Sequence, residues 1–467
     1  MTKISRVLVA NRGEIAVRVI RACQALGLES VVAVSTADRD SLAAKLADRT
    51  VCIGPARALD SYLNVGAIIT AALGTGSDAI HTGYGFLAEQ PRLAKACHEN
   101  NVVFIGPRAE LIEKMGNKIV ARQIAAKLGV PVVPGSEKVT SVQDAIETSL
   151  TIGFPLLLKA AAGGGGRGMR IVNHVSELAA AFEGASGEAR TAFGDDTIYV
   201  ERYIRNARHI EVQIIADHFG NVVHLGERDC SLQRRYQKIV EESPAPHLES
   251  LREQIRQAAT KLARETGYQN AGTIEFIVDQ DANRFYFLEM NTRIQVEHPV
   301  TEMITGIDIV REQILIAENR PLSLSEHDVH IEGHAIECRI NAEAPEHGFR
   351  PSPGLIRHWR APEGHGVRVD THCYSGYTVP PYYDSLIAKV ITHASTRAGA
   401  IRKMVGALAC FGVDGIATTI PFLRFLINQP AFQNGKTHVR WIEDLIGSNP
   451  NWVHQLEKLE GDGHGQR

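Results

Sequence analysis

The sequence of 467 residues has few cysteines, no long apolar run and little net charge. Its seven cysteines are dispersed and lack any CxxC spacing, so they indicate neither a zinc site nor dithiol redox chemistry. No stretch reaches the roughly 20 apolar residues needed to span a bilayer, and the start "MTKISRVLVANRGE" is too weakly apolar for a secretory signal. A net charge of -3 gives no general attraction to nucleic acid or anionic membrane. We therefore expect a cytoplasmic protein with neither of these as a partner.

The first hundred residues alternate strand and helix patterns. "RVLVA" reads as a buried strand, "GEIAVRVIRACQALG" as a helix closed by Gly27, and "ESVVAVS" as the next strand, which together form a βαβ unit. The strand-like runs "DAIHT" and "VVFIG" continue the alternation. The pattern predicts an open parallel sheet, and the absence of GxGxxG argues against dinucleotide binding.

A glycine loop, "GGGGRG" at Gly163 to Gly168, follows the apolar run "FPLLLK". Glycine costs conformational entropy and is used where the backbone takes positive φ or closely approaches another group. Such a loop can be a plain hinge, or its amides can form an anion nest. It is not a Walker loop, because GK[ST] is missing. Lys159 and Arg167 bracket the glycines, which favours a phosphate cradle over a hinge.

"FLEMNTRIQVEHPV" at 287–300 alternates strictly between polar and apolar residues. We call its five polar side chains the polar row: Glu289, Asn291, Arg293, Gln295 and Glu297. In a strand, side chains two apart share a face. A half-buried strand with one solvated face alternates in the same way. Asn and Gln between charges favour a functional site over a solvated face.

A preceding strand supplies a further carboxylate to the polar row. "GTIEFIV" and "RFYFLEM" are separated by the turn-rich "DQDAN", which predicts a hairpin. If Val278 faces Arg284, Glu275 lies diagonally from Glu289 on one face. Two carboxylates and Asn291 are hard oxygen ligands that suit Mg²⁺ or Mn²⁺ better than zinc. A metal near a glycine loop and lysines is typical of phosphoryl transfer.

At this point the sequence resembles the biotin carboxylase component of biotin-dependent carboxylases, an ATP-grasp family. The motifs that carry the resemblance span nearly the whole chain: "ANRGEIAVRVIRAC", "GYGFLAE", "GGGGRGM", "RHIEVQIIAD", "ERDCSLQRR", "QKIVEE", "EMNTRIQVEHPVTEMITG", "HAIECRINAE", "PSPG" and "YTVPPYYDSLIAKV". The resemblance implies an α/β protein with three domains and a short tail. These are an N-terminal open parallel-sheet (pre-ATP-grasp) domain at 1–114, an ATP-grasp domain at 115–325 with a mobile glycine-loop lid at about 132–203, a C-terminal α+β domain at 330–445 and a tail at 446–467.

The resemblance also assigns roles to individual residues. ATP binding falls to Lys118, Lys159, Gly165, Gly166, Glu201, Arg202, Tyr203, Ile204, His209 and Tyr236. Mg²⁺ or Mn²⁺ falls to Glu275, Glu289 and Asn291. Bicarbonate falls to Lys238, Arg293, Gln295 and the backbone at Val296, with Glu297 as general base and Arg339 beside the ureido oxygen of biotin. Glu211 and Glu89 are implied to lie nearby, without an assigned role.

The implied reaction carboxylates biotin with ATP and bicarbonate through carboxyphosphate. We find no "AMKM"-like biotinylation segment, so we expect a separate polypeptide that acts on biotin carried by a biotin carboxyl carrier protein. The expected partners are that carrier, carboxyltransferase subunits and a second copy of the chain, most often within an acetyl-CoA carboxylase of fatty acid synthesis. Two alternatives stay open: an idle nucleotide-binding scaffold, and an ATP-grasp ligase that joins a carboxylate to an amine.

Several of these residues also have purely structural interpretations. His209 can be an ordinary strand histidine, Lys238 and Lys118 can be solvated lysines, and Arg339 can simply pair with an acidic residue. Three positions depart from the family pattern: Asn117 stands for the usual aspartate, Thr82 for a proline, and Tyr236 for a frequent histidine. The third departure concerns the nucleotide contact directly.

Overall fold

The chain begins with a parallel sheet, as the alternating pattern predicts. The computed structural model describes residues 3–136, 138–161 and 169–456. The strands are β1 (Arg6–Val9), β2 (Glu29–Ser35), β3 (Arg49–Gly54), β4 (Ala79–His81) and β5 (Val103–Ile105), in the order β3-β2-β1-β4-β5. The helices are α1 (Gly13–Ala25), α2 (Leu42–Leu46), α3 (Val65–Thr75), α4 (Pro91–Glu99) and α5 (Ala109–Gly116). Gly27, beyond the end of α1, has a φ of +69°, which explains why glycine closes this helix.

A small α/β unit follows the parallel sheet. Its elements are α6 (Lys118–Lys127), α7 (Val142–Ile152), β6 (Leu156–Ala160), β7 (Arg170–Val172), α8 (Leu178–Phe193) and β8 (Ile198–Arg202), and its sheet order is β7-β6-β8. Buried side chains such as Leu158, Leu178 and Val200 give this unit its own apolar core. The two strands predicted around the glycine loop are present and antiparallel. Gly165 and Gly166 lie outside the described residues.

The next segment forms one half of a large antiparallel sheet. Its elements are β9 (Ala207–Ala216), β10 (Val222–Arg234), β11 (Gln237–Ser243), α9 (Arg252–Glu265), β12 (Asn270–Asp279), β13 (Arg284–Asn291), α10 (His298–Thr305) and α11 (Ile309–Ala317). Helix α9 packs against β9 and β10 over a shared apolar cluster that includes Ile255, Ile210 and Val222. Helix α9 therefore covers one face of the sheet, and part of the other face packs against α11 through Ile215 and Ala271.

The C-terminal segment extends the same sheet. Its elements are β14 (His334–Asn341), β15 (Glu343–Ala344), β16 (Arg350–Pro351), β17 (Gly354–Leu355), β18 (His358–Arg360), β19 (Val367–Thr371), β20 (Thr378–Val379), β21 (Leu386–Ala394), α12 (Arg397–Cys410), β22 (Gly412–Asp414), α13 (Ile420–Ile427), α14 (Pro430–Gln433) and α15 (Trp441–Ser448). The eight strands run in the order β13-β12-β9-β10-β11-β14-β21-β19. Strand β14 pairs with β11, so that Glu241 lies opposite Glu337. Hydrogen bonding is thus continuous across the junction between the predicted second and third domains.

The predicted hairpin exists, but its predicted register is wrong. Asp279, not Val278, lies opposite Arg284, and a bulge after Glu275 shifts the pairing again. Glu275 consequently lies directly opposite Glu289 instead of diagonally from it. A bulge adds one residue to one strand of the pair, and the alternation of residue types does not reveal it.

The polar row is also not a single strand. Strand β13 ends at Asn291, and α10 begins at His298, so Arg293, Gln295 and Glu297 lie on the connection between them.

Among the described residues, no helix combines the length and apolar character needed to cross a membrane. All seven cysteines lie in the described ranges, and each is a free thiol.

Candidate active site

A cleft of about 660 Å³ lies between the three parts of the chain. Residues of the parallel-sheet part, such as Asn11 and Tyr84, form one wall. The predicted site residues on the other walls come from the second and third predicted domains: Lys118, Lys159, Glu201, Arg202, Tyr203, Ile204, His209, Tyr236, Lys238, Glu275, Glu289, Asn291, Arg293, Gln295, Val296 and Arg339. Glu297 is fully buried behind the wall. The structure thus brings together residues that are more than 200 positions apart in sequence.

Hard oxygen ligands meet on the paired strands β12 and β13. Glu275 and Glu289 are directly opposite, and Asn291 donates from Nδ2 to Glu275 Oε1 at 2.9 Å. Burial alone would raise the pKa of Glu275, but Lys238 and His209 lower it to about 2, so this carboxylate is ionised. The Lys118 ammonium lies 2.9 Å from Glu289. Two carboxylates and an amide, without sulfur, fit Mg²⁺ or Mn²⁺.

Lys238 is held at the centre of three carboxylates. Its Nζ lies 2.5 Å from Glu211, 3.0 Å from Glu275 and 2.6 Å from Glu297. Burial disfavours the ammonium, but these three charges raise the pKa of Lys238 well above its usual range. Arg228, fully buried, pairs with the other oxygen of Glu211 at 2.6 Å. Lys238 is therefore not a solvated lysine, and Glu211 helps to hold it in place.

Glu297 is held between two cations. Its Oε1 accepts from Lys238 at 2.6 Å, and its Oε2 accepts from Arg339 Nη2 at 2.9 Å. Arg339 also pairs with the fully buried Glu241 at 2.5 Å. Burial raises the pKa of Glu241, against the effect of Arg339. Arg339 thus pairs with acidic residues, as expected if its role were purely structural. It also lines the cleft beside Glu297.

Arg293 is oriented by Glu89 from the parallel-sheet part of the chain. Arg293 Nε donates to Glu89 Oε2 at 2.8 Å, and the backbone N–H of Thr292 donates to the other oxygen at 3.0 Å. The guanidinium also reaches Asn291 Oδ1 at 3.2 Å. Gln295 donates to Glu275 Oε1 at 2.9 Å, so the connection after β13 contacts one of the carboxylates that suit a metal ion. The side chains of the polar row therefore converge without a continuous strand.

His209 is an ionised member of the cluster and more than a strand histidine. Its Nε2 lies 3.2 Å from Glu275 and 3.7 Å from Glu211. Burial and the nearby Lys238 lower the pKa of His209, but Glu275 and Glu211 together outweigh them and raise the pKa to about 9. The imidazolium is thus a further positive charge on the cleft wall.

The residues predicted to bind ATP lie where the small α/β unit joins the large sheet. Lys159 on β6 pairs with Glu201 on β8, and Arg122 on α6 pairs with the same carboxylate. The chain then leaves β8, and the N–H of Tyr203 donates to Pro155 O at 2.9 Å. Backbone and cationic side chains therefore line this end of the cleft.

Of the three departures from the family pattern, only Asn117 has a local explanation, and nothing in the described part of the structure explains Thr82 or Tyr236. Asn117 is the N-cap of α6, and its Oδ1 accepts from the N–H groups of Ile119 and Val120. Asn and Asp cap helices about equally well, so the start of α6 is preserved. The Thr82 carbonyl accepts from Asn11 at 2.6 Å. Tyr236 lies at the β10–β11 turn with a φ of +65°, half exposed at the cleft.

Two residues next to the site had no predicted role. Glu241 belongs to the motif "QKIVEE", and the two adjacent glutamates after an apolar pair are the sequence feature that could have pointed to it. Lys389 donates from Nζ to the Val296 carbonyl at 2.8 Å and is fully buried. A lysine inside the apolar run "LIAKV" was a detectable signal, since an unpaired charge there would be costly.

Family models match most of the chain. The biotin carboxylase N-terminal domain matches residues 3–112, the carbamoyl-phosphate synthase L chain ATP-binding domain matches 117–325, and the biotin carboxylase C-terminal domain matches 337–444. The chain is 53% identical over 449 residues to biotin carboxylase 1 of Bacillus subtilis, which covers 95% of this chain and 100% of the relative. It is 50% identical over 449 residues to the biotin carboxylase of Haemophilus influenzae, which covers 96% of this chain and 100% of the relative.

Solved structures agree with these matches. A crystal structure of a biotin carboxylase complex with β,γ-ATP from Campylobacter jejuni has a TM-score of 0.93 and 47% identity, covering 95% of this chain and 99% of that one. The biotin carboxylase domain dimer of the Hydrogenobacter thermophilus 2-oxoglutarate carboxylase, in complex with MgADP, ADP and bicarbonate, has a TM-score of 0.92 and 46% identity, covering 97% and 99%. With matched domains along its length and relatives of about half identical sequence, the chain belongs to the biotin carboxylase family of ATP-dependent ligases.

Proposed function

We propose that this chain carboxylates biotin on a separate carrier protein, using ATP and bicarbonate and giving ADP, phosphate and N-carboxybiotin. The observation that carries the proposal is the buried Glu297 carboxylate held between Lys238 and Arg339. A carboxylate in this position can accept a proton from an anion bound by the neighbouring cations. The ATP-binding and carboxylase family models and the nucleotide and bicarbonate complexes of relatives support the substrate classes.

In the proposed first step, bicarbonate is held by Lys238, Arg293, Gln295 and the backbone at Val296. Glu297 accepts the bicarbonate proton, and the freed oxygen attacks the γ-phosphorus of ATP. The bond to the β-phosphate oxygen breaks, giving carboxyphosphate and ADP. The cations at the cleft wall stabilise the charge on the transferring phosphoryl group.

Nucleotide and metal would occupy the adjoining end of the cleft. Lys118, Lys159 and the segment from Glu201 to Ile204 would bind ATP, with His209 and Tyr236 at its edge. Glu275, Glu289 and Asn291 would hold Mg²⁺ or Mn²⁺, and their hard oxygen donors fit these ions. Such an ion, when bound, neutralises negative charge on the phosphate oxygens.

In the proposed second step, carboxyphosphate breaks down to CO₂ and phosphate, and the phosphate removes the proton from the biotin ureido nitrogen. The Arg339 guanidinium lies at the cleft wall, where it can stabilise negative charge on the ureido oxygen. The biotin nitrogen then bonds to CO₂.

For the wider assembly, we propose a homodimer that works with a biotin carboxyl carrier protein and carboxyltransferase subunits in the cytoplasm. We propose an acetyl-CoA carboxylase of fatty acid synthesis as the complete enzyme. A dimer is described for the Hydrogenobacter thermophilus domain. The relatives include parts of pyruvate and 2-oxoglutarate carboxylases, so the acceptor must be tested with the partner subunits.

The deciding experiment measures phosphate release from ATP with and without bicarbonate, Mg²⁺ and free biotin. The proposal expects release that requires bicarbonate and Mg²⁺ and rises when biotin is added. An idle scaffold would release no phosphate above background. A ligase joining a carboxylate to an amine would not respond to biotin, and either result would refute the proposal.

A further inference from the structure

The connection that carries Arg293, Gln295 and Glu297 is held by one side chain from the start of α10 and one from the distant strand β21. It lies between β13 and α10, outside regular sheet pairing, so its backbone carbonyls need other partners. The Gln295 carbonyl lies 2.8 Å from His298 Nδ1, and the Val296 carbonyl accepts from Lys389 Nζ at 2.8 Å. Two consecutive peptide units are therefore fixed by fully buried side chains.

Lys389 has a built environment for its charge. It lies on β21, fully buried, and its Nζ is 3.0 Å from Glu14 on α1 and 3.9 Å from Asp370 on β19. Glu14 is buried as well and accepts a hydrogen bond from Tyr84. A buried ammonium is costly unless it is paired and hydrogen-bonded. Glu14, Asp370 and the Val296 carbonyl together supply that compensation.

The peptide unit that Lys389 holds is the one that leads into Glu297. Its oxygen belongs to Val296 and its N–H to Glu297, so rotation of this unit would displace the Glu297 carboxylate from Lys238 and Arg339. The three contacting residues come from the three matched segments of the chain: Glu14 from 3–112, Val296 from 117–325 and Lys389 from 337–444. The orientation of Glu297 therefore depends on how the outer segments pack against the central one.

We infer that Lys389, paired with Glu14, is a positioning residue that orients the Val296–Glu297 peptide and thereby aims the Glu297 carboxylate at bicarbonate. The inference rests on the proposed function, in which Glu297 is the base. Lys389 does not line the cleft and touches no substrate in this scheme. A small displacement of a reacting group can cost on the order of 10²-fold in rate, so loss of this contact should appear in the bicarbonate step.

The test compares Lys389→Met with the double variant Lys389→Met/Glu14→Gln. The single variant removes the ammonium beside a buried carboxylate and should melt earlier than the wild-type protein. The double variant removes both charges, so its melting temperature should move back toward the wild-type value. Its kcat/KM for bicarbonate should nevertheless remain about 10- to 100-fold low, while the KM for ATP stays within about twofold.

Lys403→Met is the matched control. Lys403 Nζ also holds two backbone carbonyls, those of His365 and His393, each at 2.9 Å, and it does not line the cleft. This variant should keep the wild-type kcat/KM for bicarbonate. An equal loss there would overturn the inference, because the loss of activity would then not be specific to the lysine that holds the Val296 carbonyl.

The outcomes separate the inference from the proposed function. If the wild-type protein cleaves ATP in a bicarbonate-dependent way and the double variant recovers both stability and bicarbonate kcat/KM, the inference alone is refuted. If the wild-type protein shows no bicarbonate dependence, the proposed function fails and the inference fails with it. If the double variant regains the wild-type melting temperature but its kcat/KM for bicarbonate stays low, the result supports the positioning role.

Discussion

Replacing Glu297 with Gln tests the proposed base with little change in shape. The amide has nearly the volume of the carboxylate, but it cannot accept the bicarbonate proton. General base catalysis is worth about 10² to 10⁴ in rate, so bicarbonate-dependent ATP cleavage should fall by that factor. Nucleotide affinity should change little, because Glu297 lies behind the cleft wall and the residues proposed to bind ATP line it.

The cost in stability can be bounded from the contacts. Removing a partner from a buried ion pair costs about 3 to 5 kcal/mol when the other charge is left alone. Here Lys238 keeps Glu211 at 2.5 Å and Glu275 at 3.0 Å, and Arg339 keeps Glu241 at 2.5 Å. No cation is left unpaired, and the amide oxygen can still accept one hydrogen bond. We expect a loss of about 1 to 3 kcal/mol in the free energy of unfolding, the scale of one charged hydrogen bond.

The assay combines phosphate release, nucleotide titration and urea unfolding on one preparation. Glu227→Gln is the matched control, because Glu227 is also fully buried between two arginines, Arg252 at 2.9 Å and Arg256 at 2.5 Å, outside the cleft. The control should lose comparable stability and keep its turnover. Turnover of Glu297→Gln within tenfold of wild type, or a parallel loss of nucleotide affinity, would refute the base assignment.

The remaining predictions concern other parts of the cleft. Arg339→Gln should lower carboxybiotin formation by about 10² to 10³ and ATP cleavage much less, measured on one folded sample; a proportional fall in both would exclude the biotin role. Glu289→Gln should raise the Mg²⁺ concentration needed for half-maximal turnover, and normal activity at limiting Mg²⁺ would reject the ligand role. Because the folded pKa of His209, about 9, exceeds its ordinary 6.5, its stabilising contribution is complete below pH 6.5 and is lost as pH rises to about 9. His209→Gln should make the unfolding free energy depend less on pH between about 6.5 and 9. A pH dependence equal to that of the wild-type protein would contradict the pairing of His209 with Glu275. Hydrogen exchange in β6 and β8 should slow when ATP binds, and unchanged exchange there would count against a closing lid.

Local patterns predicted the elements that depend on neighbouring residues. The βαβ unit at the start, the strands on both sides of the glycine loop and the hairpin from Gly272 to Met290 follow from apolar periodicity and turn residues. The donor types of Glu275, Glu289 and Asn291 likewise follow from the residues themselves, because carboxylates and amides prefer hard cations wherever the fold brings them together. The resemblance of the motifs then supplied the reaction, and the matched family models confirm the family.

The contacts between distant segments were decided only by the tertiary structure. The bulge after Glu275 set the register, since alternation is unchanged when one strand gains a residue. The end of β13 at Asn291 reflects the turn into α10, while the residue pattern continues through it. The pairing of β11 with β14 brings Glu241 to Arg339, and the packing of β21 brings Lys389 to Val296. Each contact joins residues about 90 or more positions apart, and their energy depends on burial and pairing that exist only once the segments are packed together.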